Sequence, residues 1–238
     1  MMPIFSREKT DTPESSLVSD LFSKGAHIGY TKTRRHPSTK PFIFGKKNTL
    51  DIIDLSETEK MLLSAEQFVE DFAKKGKKML FVGTKPSAAE SVYAAAESVG
   101  MPYVTRRWIG GTFTNFDGIK KRLARLDEIE EKERSGGLSI YTKKEQSRIV
   151  KERETLEKNF GGIRGLTELP GAIFVVDSLH EKTAVTEARS SAMPVVSLSS
   201  SDCDLGNVTY PILANDTAKD SIAYITKRIA DAYARGKV

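Results

Sequence analysis

The feature that most constrains the fold is the run Ala172-Ile173-Phe174-Val175-Val176-Asp177, in which no polar residue interrupts the five apolar ones. Such a run has no wet face, so it reads as a strand covered on both sides. Lys78-Met79-Leu80-Phe81-Val82-Gly83 reads the same way. Leu50–Leu55, Tyr103–Thr105 and Pro194–Leu198 are further strands, and Thr209–Leu213 is a short edge strand that tolerates Pro211. Helical patterns lie between them. Ser56-Glu57-Thr58-Glu59 has the form of a capping box, opening a helix with Met61, Leu62, Ala65, Phe68, Val69 and Phe72 on one face and a stop near Gly76. Others run from Pro86 to about Ser98, from about Thr183 to Ser191, and onward from the cap Asn215-Asp216-Thr217, with Ile222, Ile225, Ile229 and Tyr233 on one face. This alternation predicts an α/β fold: a doubly wound, flavodoxin-like parallel sheet.

The stretch from Arg106 to Phe116 sits between a strand and a charged helix and holds the only Trp. Trp108, Phe113 and Phe116 are expected to pack this junction, with Gly110-Gly111 allowing a sharp turn. From Asp117 to Phe160 the composition changes. Ile119, Leu123, Leu126 and Ile129 make a narrow apolar seam, and a second helix, roughly Lys143 to Lys158, carries Ile149, Leu156 and Phe160. With Ser135-Gly136-Gly137 as the turn, the pattern predicts an antiparallel helical hairpin resembling a short coiled coil, inserted after the third core strand. The expected organisation is a basic N-terminal arm over residues 1–40, an α/β core over 41–116 and 161–238, and the inserted hairpin over 117–160.

Charge is informative by its distribution. The formal net charge is +5, yet no acidic residue occurs between Lys24 and Lys47. That window holds Lys32, Arg34, Arg35, Lys40, Lys46 and Lys47, interleaved with His27, Tyr30, His36, Phe42 and Phe44. Cations mixed with stacking groups are the footprint of nucleic-acid contact. Lys32 to Lys40 reads as an extended basic loop, because Pro37 and Pro41 exclude an α-helix. Phe42-Ile43-Phe44 reads as a short strand closed at Gly45. Residues 1–16 are polar and read as peripheral, with no apolar signal core, so secretion is not expected. No apolar run approaches the roughly 18 residues of a membrane span. Cys203 is the only cysteine, which excludes an intrachain disulfide and fits a reducing compartment.

Catalytic candidates are few. Asp177 and His180 are close enough in sequence to act as base and partner. Nearby Asp202 and Asp204 raise the pKa of Cys203 and argue against a nucleophile. Two such carboxylates are a weak cation signal, and His27, His36 and His180 lack metal-ligand spacing. Gly83-Thr84-Lys85 lacks the glycine spacing of a phosphate loop. An enzyme is not expected, nor a metal or cofactor. The alternative reading is a small α/β enzyme acting on a phosphorylated substrate through Asp177 and His180.

The chain resembles the ribosomal small-subunit protein two family, of the bacterial or organellar type. The residues that carry the likeness are Gly25-Ala26-His27-Ile28-Gly29, Lys40-Pro41-Phe42-Ile43-Phe44-Gly45, the stretch Arg107 to Phe116, Leu169 to Asp177, Glu187-Ala188 and Tyr210 to Asp216. Tyr30, His36 and Ser200 depart from the family pattern, standing where a His, a Trp and an Asp are usual. The resemblance implies a non-enzymatic constituent of the small ribosomal subunit, on the ribosome in the cytoplasm. It implies binding to small-subunit rRNA and to neighbouring small-subunit proteins, including the large mRNA-binding protein one. With phosphate contacts dominating, the expected RNA-binding residues are Lys32, Arg34, Arg35, His36, Lys40, Lys46 and Lys47 in the arm, Arg106 and Arg107, and Lys120, Lys121, Arg122 and Arg125 at the hairpin base.

Overall fold

A computed structural model describes residues 16–237; the peripheral reading of the first residues lies outside them. In chain order the elements are α1 (Ser16–Ser23), β1 (Ile28–Thr31), β2 (Ile43–Lys47), β3 (Leu50–Ile53), α2 (Leu55–Lys74), β4 (Met79–Val82), α3 (Ala89–Val99), β5 (Tyr103–Val104), α4 (Phe116–Arg134), α5 (Lys143–Phe160), β6 (Ala172–Val176), α6 (Lys182–Ser190), β7 (Val195–Ser199), β8 (Tyr210–Leu213) and α7 (Lys219–Gly236).

The five strands from β4 to β8 form one parallel sheet in the order β5-β4-β6-β7-β8. Every residue of β4 and β6 is buried. Side chains alternate across a strand, so each run feeds two cores. Met79, Phe81, Phe174 and Val176 point to the side where α2, α3 and α7 supply Leu62, Val69, Val92 and Ile225. Leu80, Val82, Ile173 and Val175 point to the other side, into a cluster with Leu126 and Ile129 of α4, Phe160 of α5 and Val185 of α6. The first layer is locked by Arg228 of α7, whose Nε and Nη2 donate to the buried Glu66 carboxylate of α2 at 2.6 and 3.0 Å.

Ile119, Leu123, Leu126 and Ile129 are all buried, as the seam requires, and the chain turns between α4 and α5 at Gly136, with φ +72°. Leu156 and Phe160 are buried on α5, and Ile149 packs against the same cluster.

The N-terminal third differs from the sequence expectation. The Leu50–Leu55 segment does not join the parallel sheet. Its strand, β3, lies between β1 and β2 in a separate antiparallel sheet. The reason is local: Lys47 pairs with Leu50 across a two-residue turn, and Asn48 takes φ +57°. A two-residue connection can join only antiparallel neighbours. The hairpin therefore follows the second strand of the parallel sheet, not the third. The β2 strand runs through Gly45 to Lys47, with an irregular register between Ile43 and Gly45. The segment read as an extended basic loop contains a 3-10 helix, Pro37–Phe42. Pro37 sits in the first turn, where its missing N–H costs nothing. This helix and the β1-β3-β2 sheet span the arm boundary drawn at residue 40. The cap of α2 is Asp54, whose carboxylate accepts the Ser56 N–H at 3.0 Å, not Ser56 itself.

The small sheet sits over the carboxyl ends of the parallel strands. Ser201, just past β7, accepts the Tyr30 N–H on its hydroxyl (2.8 Å), and its carbonyl accepts the His36 N–H (2.9 Å) and the Thr39 hydroxyl (2.8 Å). Gly29 permits this approach: a Cβ there would lie 2.9 Å from Ser201 Oγ.

Candidate nucleic-acid interface

Doubly wound sheets bind ligands in the crevice beyond the strand ends where the strand order reverses. Here that point lies between β4 and β6, at Gly83-Thr84-Lys85 and Asp177 to Glu181. The crevice is filled by the protein's own groups. The Thr84 N–H and hydroxyl both donate to Glu181 Oε1, at 2.8 and 2.5 Å. A backbone donor that could cradle a phosphate is thus already satisfied. The Lys85 ammonium pairs with Asp177 and, at 3.4 Å, with the fully buried Asp216. Burial works against that ammonium, but Asp216 and then Asp177 outweigh it and hold the pKa up. Asp216 is pushed up to about 6 by burial and by Asp177, with Lys85 opposing.

Asp177 and His180 do not form the base-and-partner arrangement. Asp177 adopts φ +67° and accepts the backbone N–H groups of Leu179 and His180 on Oδ1, each at 2.9 Å. The His180 imidazole lies instead 3.2 Å from the Thr84 hydroxyl. Buried Cys203 sits 3.6 Å from Asp177 Oδ1, and burial followed by Asp177 raises its thiol to about 12. Asp177, Cys203 and Asp216 offer ligand atoms within 4.8 Å of one another, but Lys85 already supplies their cation. Asp202 and Asp204 diverge. Asp202 meets Arg34 at 2.8 Å, and Asp204 accepts the Gly206 N–H at 3.0 Å and the Asn207 amide at 2.7 Å.

The stretch from Arg106 to Phe116 is held by a group that sequence reasoning gave no structural role. The buried Glu187 carboxylate on α6 accepts the Trp108 indole N–H (3.2 Å) and the Gly111 N–H (2.8 Å) on Oε1. Its Oε2 accepts the N–H groups of Phe113 (3.0 Å) and Thr114 (3.5 Å). Gly111 makes the turn at φ +89°, a region that favours glycine. Trp108 and Phe113 are buried edge to face, 5.0 Å apart, and Phe116 packs against the same cluster. Arg106 and Arg107 remain exposed at the rim. Glu187 stood out only as part of the family likeness, because a carboxylate clamping a loop about 75 residues away leaves no local pattern.

The candidate cations fall into two groups. Some are engaged within the chain. Arg34 pairs with Asp202 and lies 4.1 Å over the Tyr30 ring. Arg35 lies 3.6 Å from the buried Asp51 carboxylate. His36 Nδ1 lies 2.8 Å from Ser38 Oγ and 3.8 Å from Asp204. Arg125 is shared by Glu128 and Glu152, each at 3.0 Å. By contrast, Lys32, Lys40, Lys46, Lys47, Arg106, Arg107, Lys120, Lys121 and Arg122 are exposed, and no ion pair to them occurs among the described residues. Lys120 stands 4.9 Å over the Phe116 ring and Arg122 5.9 Å over Phe160, which anchors their stems at the hairpin base.

Fold and surface together define a class: an α/β protein whose strand-end crevice is closed by its own side chains and whose many exposed cations include groups on the N-terminal sheet, the Trp108 loop and the hairpin base. Within that class, the chain belongs to the ribosomal protein S2 family, whose model, described as Ribosomal protein S2, matches residues 21–236. It is similar to the small ribosomal subunit protein uS2 of Geotalea uraniireducens (strain Rf4), 41% identical over 219 residues that cover 92% of this chain and 86% of the relative. It is also similar to the protein of the same name from Mycolicibacterium paratuberculosis (strain ATCC BAA-968 / K-10), at 44% over 92% of this chain and 79% of that one. The family is one of structural ribosomal components, not enzymes. Among the described residues no helix is long and apolar enough to cross a membrane.

Proposed function

We propose that this protein is a structural constituent of the small ribosomal subunit, acting in translation by binding small-subunit rRNA and neighbouring small-subunit proteins, the large mRNA-binding protein one among them. The observation that carries the RNA reading is that the candidate cations Lys32, Lys40, Lys46 and Lys47 near the small sheet, Arg106 and Arg107 beside the clamped loop, and Lys120, Lys121 and Arg122 at the hairpin base are among the exposed ones without a carboxylate partner. A phosphate that meets such a group displaces only water and counterions, whereas one that meets Arg125 must compete with Glu128 and Glu152. In this reading Arg34, Arg35 and His36 mainly fix the N-terminal segment to the core and add field to the same face.

The parallel sheet is flavodoxin-like in this reading, because its strands, counted along the chain, lie in the order 2-1-3-4-5. Residues 117–160 act as an inserted coiled-coil hairpin on the core formed by 41–116 and 161–238, with the segment up to residue 40 as a basic extension. The core is a scaffold, and recognition resides in the loops, the small sheet and the hairpin.

Sedimentation tests the reading. In a sucrose gradient the protein should travel with small subunits and wash off only at high salt. A protein confined to the soluble fraction at low salt, and active on a phosphate ester, would overturn it.

A further inference from the structure

A cavity of about 390 Å³ opens between α3, β5 and the end of α5. Its walls include Tyr93, Tyr103, Arg106, Lys158 and Asn159. Tyr93 and Tyr103 meet edge to face at 5.1 Å. Gly162 lies so close that a Cβ there would sit 2.7 Å from the Tyr103 ring, an approach that a glycine permits. Tyr93 stays 47% exposed. Arg106 and Lys158 are exposed, and no carboxylate pairs with either among the described residues. The one acid in the wall, Glu157, faces Arg164 at 3.5 Å.

The cavity does not stand alone. Lys151, Thr155 and Lys158 follow one another at helical spacing on α5, so they share one face and span about 10 Å. Lys151 and Thr155 border a second hollow, between α4 and α5, with Lys121 and Arg122. A stripe of cations, interrupted on the same face by Glu154, therefore runs along α5 from the tyrosine-walled cavity to this second hollow, which Glu152 also lines.

We propose that this cavity receives an unpaired nucleotide of small-subunit rRNA, with its base against Tyr93 and its flanking phosphates on Arg106 and Lys158, while the adjoining strand follows the stripe toward Lys151 and Lys121. The proposal rests on the RNA-binding reading above and names a mode of contact for it. An aromatic wall accepts any base on its face, the cations take the backbone, and the Asn159 amide can pair with a base edge. A free nucleotide would use the cavity alone. The stripe leading away from it favours a polymer.

The test uses the full chain and full-length small-subunit rRNA, with affinity measured over a salt series and base accessibility by chemical probing. Tyr93→Ala should weaken binding about tenfold, the size of one lost stacking contact. It should leave the salt slope unchanged and expose one or two unpaired bases that the unaltered protein shields. Tyr93→Phe should restore both. Lys158→Ala should instead reduce the salt slope by about one. If the unaltered protein binds with a steep salt slope but Tyr93→Ala binds as tightly and shields the same bases, the pocket proposal falls and the RNA reading survives. Binding of a free mononucleotide with no effect of Tyr93→Ala on rRNA would overturn it equally. If the unaltered protein shows no salt-dependent rRNA binding, the underlying reading fails first.

Discussion

Replacing Glu187 by Ala should undo the turn that carries Arg106 and Arg107. The carboxylate accepts four donors, three of them within 3.2 Å. A hydrogen bond to a charged acceptor contributes about 1.5–3 kcal/mol, and a buried donor left without a partner costs about 1–3 kcal/mol. The contributions overlap, since water can enter the space the side chain leaves and re-pair part of the loop. A loss of about 3–5 kcal/mol is the expected result, a large share of the roughly 5–15 kcal/mol that holds a domain folded. Glu187→Gln keeps the shape but turns an amide toward N–H donors, and should lose about half as much. The assay is built in: Trp108, the only tryptophan, lies within the contact, so its emission reports both the native environment and the denaturant midpoint. An Ala variant within about 1 kcal/mol of the unaltered protein, with blue-shifted native emission intact, would show that Glu187 does not hold the loop.

Three further outcomes follow from the packing and the buried charges. Gly162→Ala drives a Cβ into the Tyr103 carbonyl oxygen and should cost about 1–3 kcal/mol in thermal unfolding, whereas Gly165→Ala, with open space around it, should stay within about 0.5 kcal/mol. Asp216 holds its proton up to about pH 6 in the folded chain, against 3.8 as its ordinary value. The folded state therefore binds more protons between those limits, so this group's stabilising contribution is complete below about pH 4 and is lost as the pH rises through 6. Asp216→Asn should flatten the fall in urea midpoint across that window; an unchanged profile would remove Asp216 as its source. The Cys203 thiol, raised to about 12 and fully buried, should not react with a thiol reagent at pH 8 until the chain is unfolded. Rapid labelling of the native protein would contradict its placement.

The parts legible in the sequence were those set by local periodicity. Ala172 to Val176 had to be a doubly covered strand, and the spacing of Ile119, Leu123, Leu126 and Ile129 had to bury one helical edge. The sheet to which Leu50–Ile53 belongs was not legible by the same means. It depends on a two-residue turn at Asn48-Thr49, and strand periodicity reads alike in either sheet. The cap on α2 slipped from Ser56 to Asp54 because two capping residues stand within one turn, and only the backbone decides between them. At the candidate interface, the residue types were readable and their pairing was not. Arg34 and Asp202 are 168 residues apart, and Lys85 meets Asp216 across 131. Which cations remain uncompensated is a property of the folded chain.

The measurement that bears most directly on rRNA binding is the salt dependence of affinity for small-subunit rRNA, compared between Lys46→Ala/Lys47→Ala and Arg125→Ala. Each uncompensated lysine that meets a phosphate should take about one from the slope of log affinity against log salt, so the double variant should lose about two. Arg125 already faces Glu128 and Glu152, and its loss should leave the slope nearly unchanged. An unaltered slope in the lysine variant, or an equal loss in both, would contradict the assignment of rRNA contact to the uncompensated cations.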